Sequence, residues 1–326
     1  MKSSVRGVPL LLVAAAIVTL VVLAVALGGG GDAAARRAFA PNSVWNAPLR
    51  AGAPIAQGSP LLVSELAREV RQTGAWINTT SYSVPVYTVH GATRRSRVSL
   101  DLPNPMYTTP ADARALAAQL AAVPIPPQAR PADGTDAHLA IWQPSTDTMW
   151  ELWRAHVGGG AWHASWGARI AHVSRSSGVV PHPFGATASG LALAGGLVTV
   201  ADLRRGHIDH ALAMAVPGVR RRTWVAPANR TDGLNPQPQS IPEGTRFRLD
   251  PNLNLASLGL PPVTFELATA AQRYGILVRD RANNVAFFAE DPHPRGSDPY
   301  PQLFGYQSPA QLLARFPWDR LEVVRP

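Results

Sequence analysis

The chain has 326 residues, 46% of them hydrophobic and 16% charged, which excludes a disordered polymer and allows a sizeable core. It contains no cysteine, which excludes disulfides and thiolate metal centres. The +9 formal charge is almost wholly arginine, with Lys2 the single lysine, in short clusters such as Arg94-Arg95-Ser96-Arg97 and Arg220-Arg221-Arg222. Without interleaved aromatics these fit solvated faces or attraction to an anionic envelope, and no nucleic-acid partner is expected.

Lys2 and Arg6 precede an uncharged run, Gly7 to Gly31, whose apolar part is Val8 to Leu27. That is about the length that spans a bilayer, with its basic end inside. Residues 1–27 therefore read as a signal anchor or uncleaved signal segment and 28–38 as a linker. Residues 39–326 read as a single extracytoplasmic β-rich domain, with cleavage and secretion as the alternative.

The domain opens irregularly at FAPNSVWNAPL, residues 39–49. LLVSELAREVRQT, Leu61 to Thr73, has helical spacing and stops before Gly74. Alternation predicts strands in residues 77–91 and 94–102. Thr109-Pro110 caps a helix expected over Ala111 to Ala122, and the proline-rich stretch Val123 to Gly134 reads as a surface connection. GLALAGGLVTVADL and HALAMAVPGV read as strands, Thr264 to Tyr274 as a helix, and GILVRD and VAFFAED as a hairpin about the turn RANN. Ser308-Pro309 caps a last short helix. Many strands with few peripheral helices predict a mainly β fold with a β-sandwich or jelly-roll core.

The segment DAHLAIWQPSTDTMWELWRA, Asp136 to Ala155, reads as a hairpin turning at Pro144 to Asp147. Gln143 then faces Thr148, Ala140 faces Glu151 and His138 faces Trp153. Leu139, Ile141, Trp150 and Leu152 form one face. The other carries Asp136, His138, Trp142, Met149, Glu151 and Trp153. Rings beside carboxylates and a histidine suit a sugar cleft, the rings stacking on pyranose C–H faces. His138 is a diagonal neighbour of Glu151, whereas Asp136 and Glu151 lie more than roughly 10 Å apart, too far for a retaining carboxylate pair.

GHIDHALAMAVP supplies His207 and His210. An H-x-x-H pair lacks a third ligand, so no metal and no cofactor are expected. His210 at a strand start reads as a general acid or base. The Gly-flanked AWHASWGARIAH segment adds Trp162 and Trp166 as aromatic subsites and Arg169 as a substrate-binding cation. Asp280 flanks the last hairpin. No G-x-S-x-G elbow is present.

SVWNAPL, DAHLAIW followed by WELW, ATASGLALAGGLV, GHIDHALAMAVP, IPEGTRFRLDP and ATAAQRYGILVRDRANNVAFFAED span most of residues 39–291. On these motifs the chain resembles a largely uncharacterised family of exported bacterial proteins, itself similar in layout to extracellular carbohydrate-active β-sandwich proteins. The family patterns D-x-H, [YW]-E-[LW], I-x-H-A-L and Y-G-x-x-x-x-D map onto Asp136, His138, Glu151, His210 and Asp280. His207 falls outside them.

The expected function is an exported glycoside hydrolase acting on a polysaccharide or cell-wall glycan. Glu151 would be acid or base, Asp136 or Asp280 its partner, and Trp142 and Trp153 subsites. A lyase would need an arginine, and with Arg154 on the opposite face of the hairpin Arg169 is the candidate. A non-catalytic glycan-binding or envelope structural protein is the alternative class.

Overall fold

The computed structural model of the chain describes residues 38–101 and 109–325, so the apolar N-terminal segment and most of the linker lie outside it. The strands in chain order are β1 (Ala75–Asn78), β2 (Val86–Thr88), β3 (Val98–Leu100), β4 (Leu139–Gln143), β5 (Thr148–Trp153), β6 (His156–Gly158), β7 (Ala161–Ala164) and β8 (Trp166–Ala171). They continue with β9 (Leu212–Val216), β10 (Val219–Trp224), β11 (Ile241–Glu243), β12 (Arg246–Leu249), β13 (Ile276–Arg281), β14 (Val285–Phe288) and β15 (Leu321–Val324). The helices are α1 (Ser59–Thr73), α2 (Pro110–Gln119), α3 (Val200–Arg205), α4 (Pro262–Arg273), α5 (Tyr300–Leu303) and α6 (Pro309–Leu313). No helix among the described residues is long and apolar enough to cross a membrane.

Local chemistry sets several of these boundaries as expected. Thr109 and Asp112 close a capping box on α2, Ser308 and Gln311 one on α6, and Gly74 ends α1 at φ +79°. The stretch Val123–Pro126 is buried, contrary to its expected exposure, because Val123 and Ile125 fill the core beneath α2.

The fold is strand-rich, with mixed sheets and few helices. A six-stranded sheet runs β1-β14-β9-β13-β12-β15, a four-stranded sheet runs β2-β4-β5-β8, and a smaller one runs β3-β7-β6. Parallel pairs (β1 with β14, β9 with β13, β2 with β4) sit beside antiparallel ones. Three cores follow. One packs α1, α4 and α6 on the outer face of the six-stranded sheet. The second joins Ala213, Ala215 and Leu277 of that sheet to Ala140, Met149 and Ala168 of the four-stranded sheet. The third covers the far face of β4 and β5 with α2 and the small sheet.

Two sequence expectations fail here. GILVRD and VAFFAED do not form a hairpin, because β9 lies between β13 and β14 and pairs with both. Its LAMAV sequence is buried throughout, with small Ala213 and Ala215 facing the second core, as a central strand requires. GLALAGGLVTVADL is no strand: the Thr199–Asp202 capping box starts α3 within it, and the preceding residues form a packed loop. That loop closes around the buried Trp45 of SVWNAPL. The indole donates to the Gly178 carbonyl at 3.1 Å, and a Cβ on Gly195 would lie 2.2 Å from the ring. The glycines therefore make the indole's space.

Candidate functional site

The β4–β5 register is the one expected, with Gln143 opposite Thr148 and Ala140 opposite Glu151. The second face, however, is core rather than open cleft wall. Glu151 is 0% exposed, and Trp142 and His138 are nearly as deeply buried. Glu151 accepts the Leu193 and Ala194 backbone N–H groups at 2.8 and 2.9 Å. Arg279 donates to the Leu193 and Gly195 carbonyls at 2.6 and 3.2 Å, with its guanidinium 3.9 Å from the Phe288 ring centroid. Burial pushes the Glu151 carboxyl up, opposed by its two N–H donors and by the Arg279 charge. Glu151 and Arg279 thus pin the 193–195 loop from both of its polar edges, and Glu151 lacks the solvent access an acid catalyst needs.

Carboxylates do converge elsewhere, where β13 departs from regular alternation. Its pairing with β9 shifts register between Val278 and Asp280, a bulge at Arg279. The extra residue lets Arg279 reach the 193–195 loop while Asp280, opposite Ala215, accepts the Ala188 N–H at 3.3 Å. Around Asp280 stand Asp136, Asp232 and the fully buried Glu243. Asp136 accepts the Trp153 indole N–H at 3.1 Å, and Asp232 lies 3.6 Å from the Arg281 guanidinium. Asp136, Asp232 and Asp280 are each half-buried, so solvent reaches them.

Desolvation, then the neighbouring Asp232 and Asp136 charges, raise the Asp280 carboxyl to about 7 against the pull of Arg279. Glu243 goes further, to about 9, through burial and the charges of Asp280 and Asp232. Burial lowers His138 to about 4, with Arg279 reinforcing and Asp136 opposing, so it is neutral at physiological pH. Arg230 donates to the Phe184 and Thr187 carbonyls at 2.7 and 2.8 Å, and neither Glu243 carboxyl oxygen has a hydrogen-bond partner among the described residues.

Asp136, His138 and Asp280 therefore share one site, joined by Asp232 and Glu243, which sequence reasoning missed. Glu151 belongs to the adjoining anchor. Trp153 lies directly opposite Trp166 on β5 and β8, both half-buried, and Phe184 stacks on Trp166 at 6.4 Å. Arg154 is corrected as well: a left-handed φ of +54° turns it back over the Trp153 ring at 5.1 Å.

The remaining candidates lie apart. Arg169 sits over Trp150 at 5.8 Å, on the opposite face of β5 from Glu151, and Trp162 packs on that same third core. Trp142 lines a cavity of about 30 Å³ with Trp45, Met149 and His210, too small to admit a sugar ring. His210 Nε2 is 3.1 Å from Asp202 and its Nδ1 is 2.9 Å from the Ala211 carbonyl, so neither nitrogen is available to a substrate. Desolvation depresses the His210 imidazole, but the Asp202 bond and charge outweigh it, and the net direction is up. The pair's contribution is then full below the unfolded histidine value and lost as pH rises through the raised one. Asp202→Asn should accordingly lower the urea midpoint more at pH 6 than at pH 9.

No protein-family model, curated protein or solved structure matches the chain.

Proposed function

We propose that the protein is an exported, polysaccharide-active glycoside hydrolase working at the Asp136–Asp232–Asp280 cluster. The two larger sheets would act as facing layers of a sandwich, and the half-buried Trp153 and Trp166 as stacking rings. The observation that carries this reading is the meeting of three solvent-reached carboxyls beside a tryptophan whose indole is held by one of them. Glycosidic cleavage needs one carboxyl protonated and a second ionised at the same pH, and neighbouring acids in unequal surroundings supply that division. Asp280, raised to about 7, fits the acid, and Asp136 or Asp232 the base or nucleophile. The resemblance to exported carbohydrate-active proteins, a cell-wall glycan as partner and attachment through the N-terminal apolar segment belong to the same proposal.

A second reading, glycan binding without turnover, is favoured by the Arg281–Asp232 ion pair and by Arg154 over Trp153. These partly neutralise the acids and cover a ring, as a binding surface tolerates. Both readings are tested by incubating the full chain with arabinan, galactan, glucan and uronate polymers and following new reducing ends and affinity. The hydrolase reading expects one polymer to be shortened, and Asp280→Asn to slow this on the order of 100-fold or more with affinity retained. Trp153→Ala should weaken binding in either reading. Binding without shortening selects the second reading, and neither shortening nor binding overturns both.

A further inference from the structure

We propose that Asp101, His156 and His163 form a binding site for one divalent transition-metal ion of the zinc class. The site lies on the small sheet, away from the carboxylate cluster, and does not depend on the functional reading above.

The sheet geometry brings the three side chains together. His156 and His163 are directly opposite each other on the antiparallel pair β6–β7. β3 lies parallel on the other side of β7, with Ser99 opposite His163. Asp101, two residues beyond Ser99, returns to the same face, and its backbone N–H bonds to the Ala164 carbonyl at 3.0 Å. Val98 and Ala164 turn to the opposite face and fill the third core, which fixes the strands beneath the triad. The β6–β7 connection is tight, with Gly159 and Gly160 at φ +57° and +80°.

His163 Nδ1 is 3.2 Å and His156 Nδ1 3.8 Å from the Asp101 carboxylate, and one donor atom from each residue lies within 4.8 Å of the others. The imidazoles stack at 5.3 Å with 20° between their planes. Donor atoms about 2.0–2.1 Å from a tetrahedral zinc lie roughly 3.3 Å from one another, so modest side-chain rotation closes the set. Two imidazoles and a carboxylate suit zinc, copper or nickel rather than calcium or magnesium, which prefer all-oxygen sites. Three protein ligands leave a fourth position for water. The Arg154 carbonyl, 3.3 Å from His156 Nδ1, holds that ring in place. Binding displaces the proton from that nitrogen.

The test is calorimetric titration of zinc into the full chain carrying no affinity tag. One saturable equivalent is expected, unaffected by excess magnesium. His163→Ala and Asp101→Asn should each weaken it on the order of tenfold or more, and the exposed control His90→Ala should not. The triad is at least partly solvent-exposed, so the metal-free variants should match the wild-type melting temperature, with only the wild type gaining on addition of zinc. Absence of saturable binding, or equal binding by the His156→Ala/His163→Ala double variant, would overturn the proposal.

Discussion

Glu151→Ala lowers folding stability by about 3–5 kcal/mol, the expected effect of deleting a buried carboxyl on which two backbone donors and a nearby buried guanidinium charge depend. The carboxyl is fully buried and accepts two backbone N–H groups, so the substitution orphans both donors. It also removes one of the two carboxylate charges, the other being Asp280, that offset the burial of Arg279, whose Nε and Nη2 lack a partner among the described residues. Arg279→Met should be comparably destabilising through the Leu193 and Gly195 carbonyls it abandons. The double variant Glu151→Leu/Arg279→Met should lose less than the sum, since both side chains hold the same 193–195 loop and their charges offset each other. Urea midpoints at unchanged slope measure each value. A Glu151→Ala midpoint equal to wild type would show that the 193–195 loop is held by something else. The consequence for function is direct: lost turnover in a Glu151 variant reports loss of the fold unless stability is measured beside it.

The hairpin shows how far sequence reaches. Period-two alternation and the PSTD turn give its register and the partition of its faces, because a one-residue slip would move every apolar side chain to the wrong side. Alternation does not tell which face meets water. The side carrying Glu151 and Trp142 has the composition of a cleft, but a second sheet packs over it, and that contact comes from β9 and β13, far along the chain. A motif marks Asp280, yet its position depends on the Arg279 bulge, which a run as regular as ILVRD does not announce. Asp232 and Glu243 stand in and after an Asn- and Pro-rich loop, where no periodicity marks a face. The Asp101–His156–His163 triad escapes motif reading for a related reason: its residues come from three strands, and only the pairing of β3, β7 and β6 aligns them.

Glu243 carries the second large effect, a loss of stability as the solution becomes alkaline. Its side chain is fully buried, and the nearby Thr231 hydroxyl and Asp232 N–H fall short of hydrogen-bond geometry with its carboxyl. Burial, Asp280 and Asp232 raise it to about 9, so the folded protein keeps a proton that the unfolded chain releases near the ordinary glutamate value. With more protons bound in the folded state, stability falls as pH rises, by about 1.4 kcal/mol per pH unit, until the folded group itself ionises near 9. Asp280, Glu69 and Glu266, each raised to about 7, act in the same direction but are largely spent above that pH. His138, lowered to about 4, acts in the opposite direction, and only on the acid side, as pH falls below the unfolded histidine value. Between pH 7 and 9 the slope therefore belongs mainly to Glu243, with the raised His210 adding to it in the same sense. Glu243→Gln keeps the neutral shape and removes the ionisation. Its unfolding free energy should flatten across that interval by about 2 kcal/mol relative to wild type. Parallel curves for the two proteins would mean that Glu243 is already ionised in the fold, and the cluster would then present four charged carboxylates instead of a graded set.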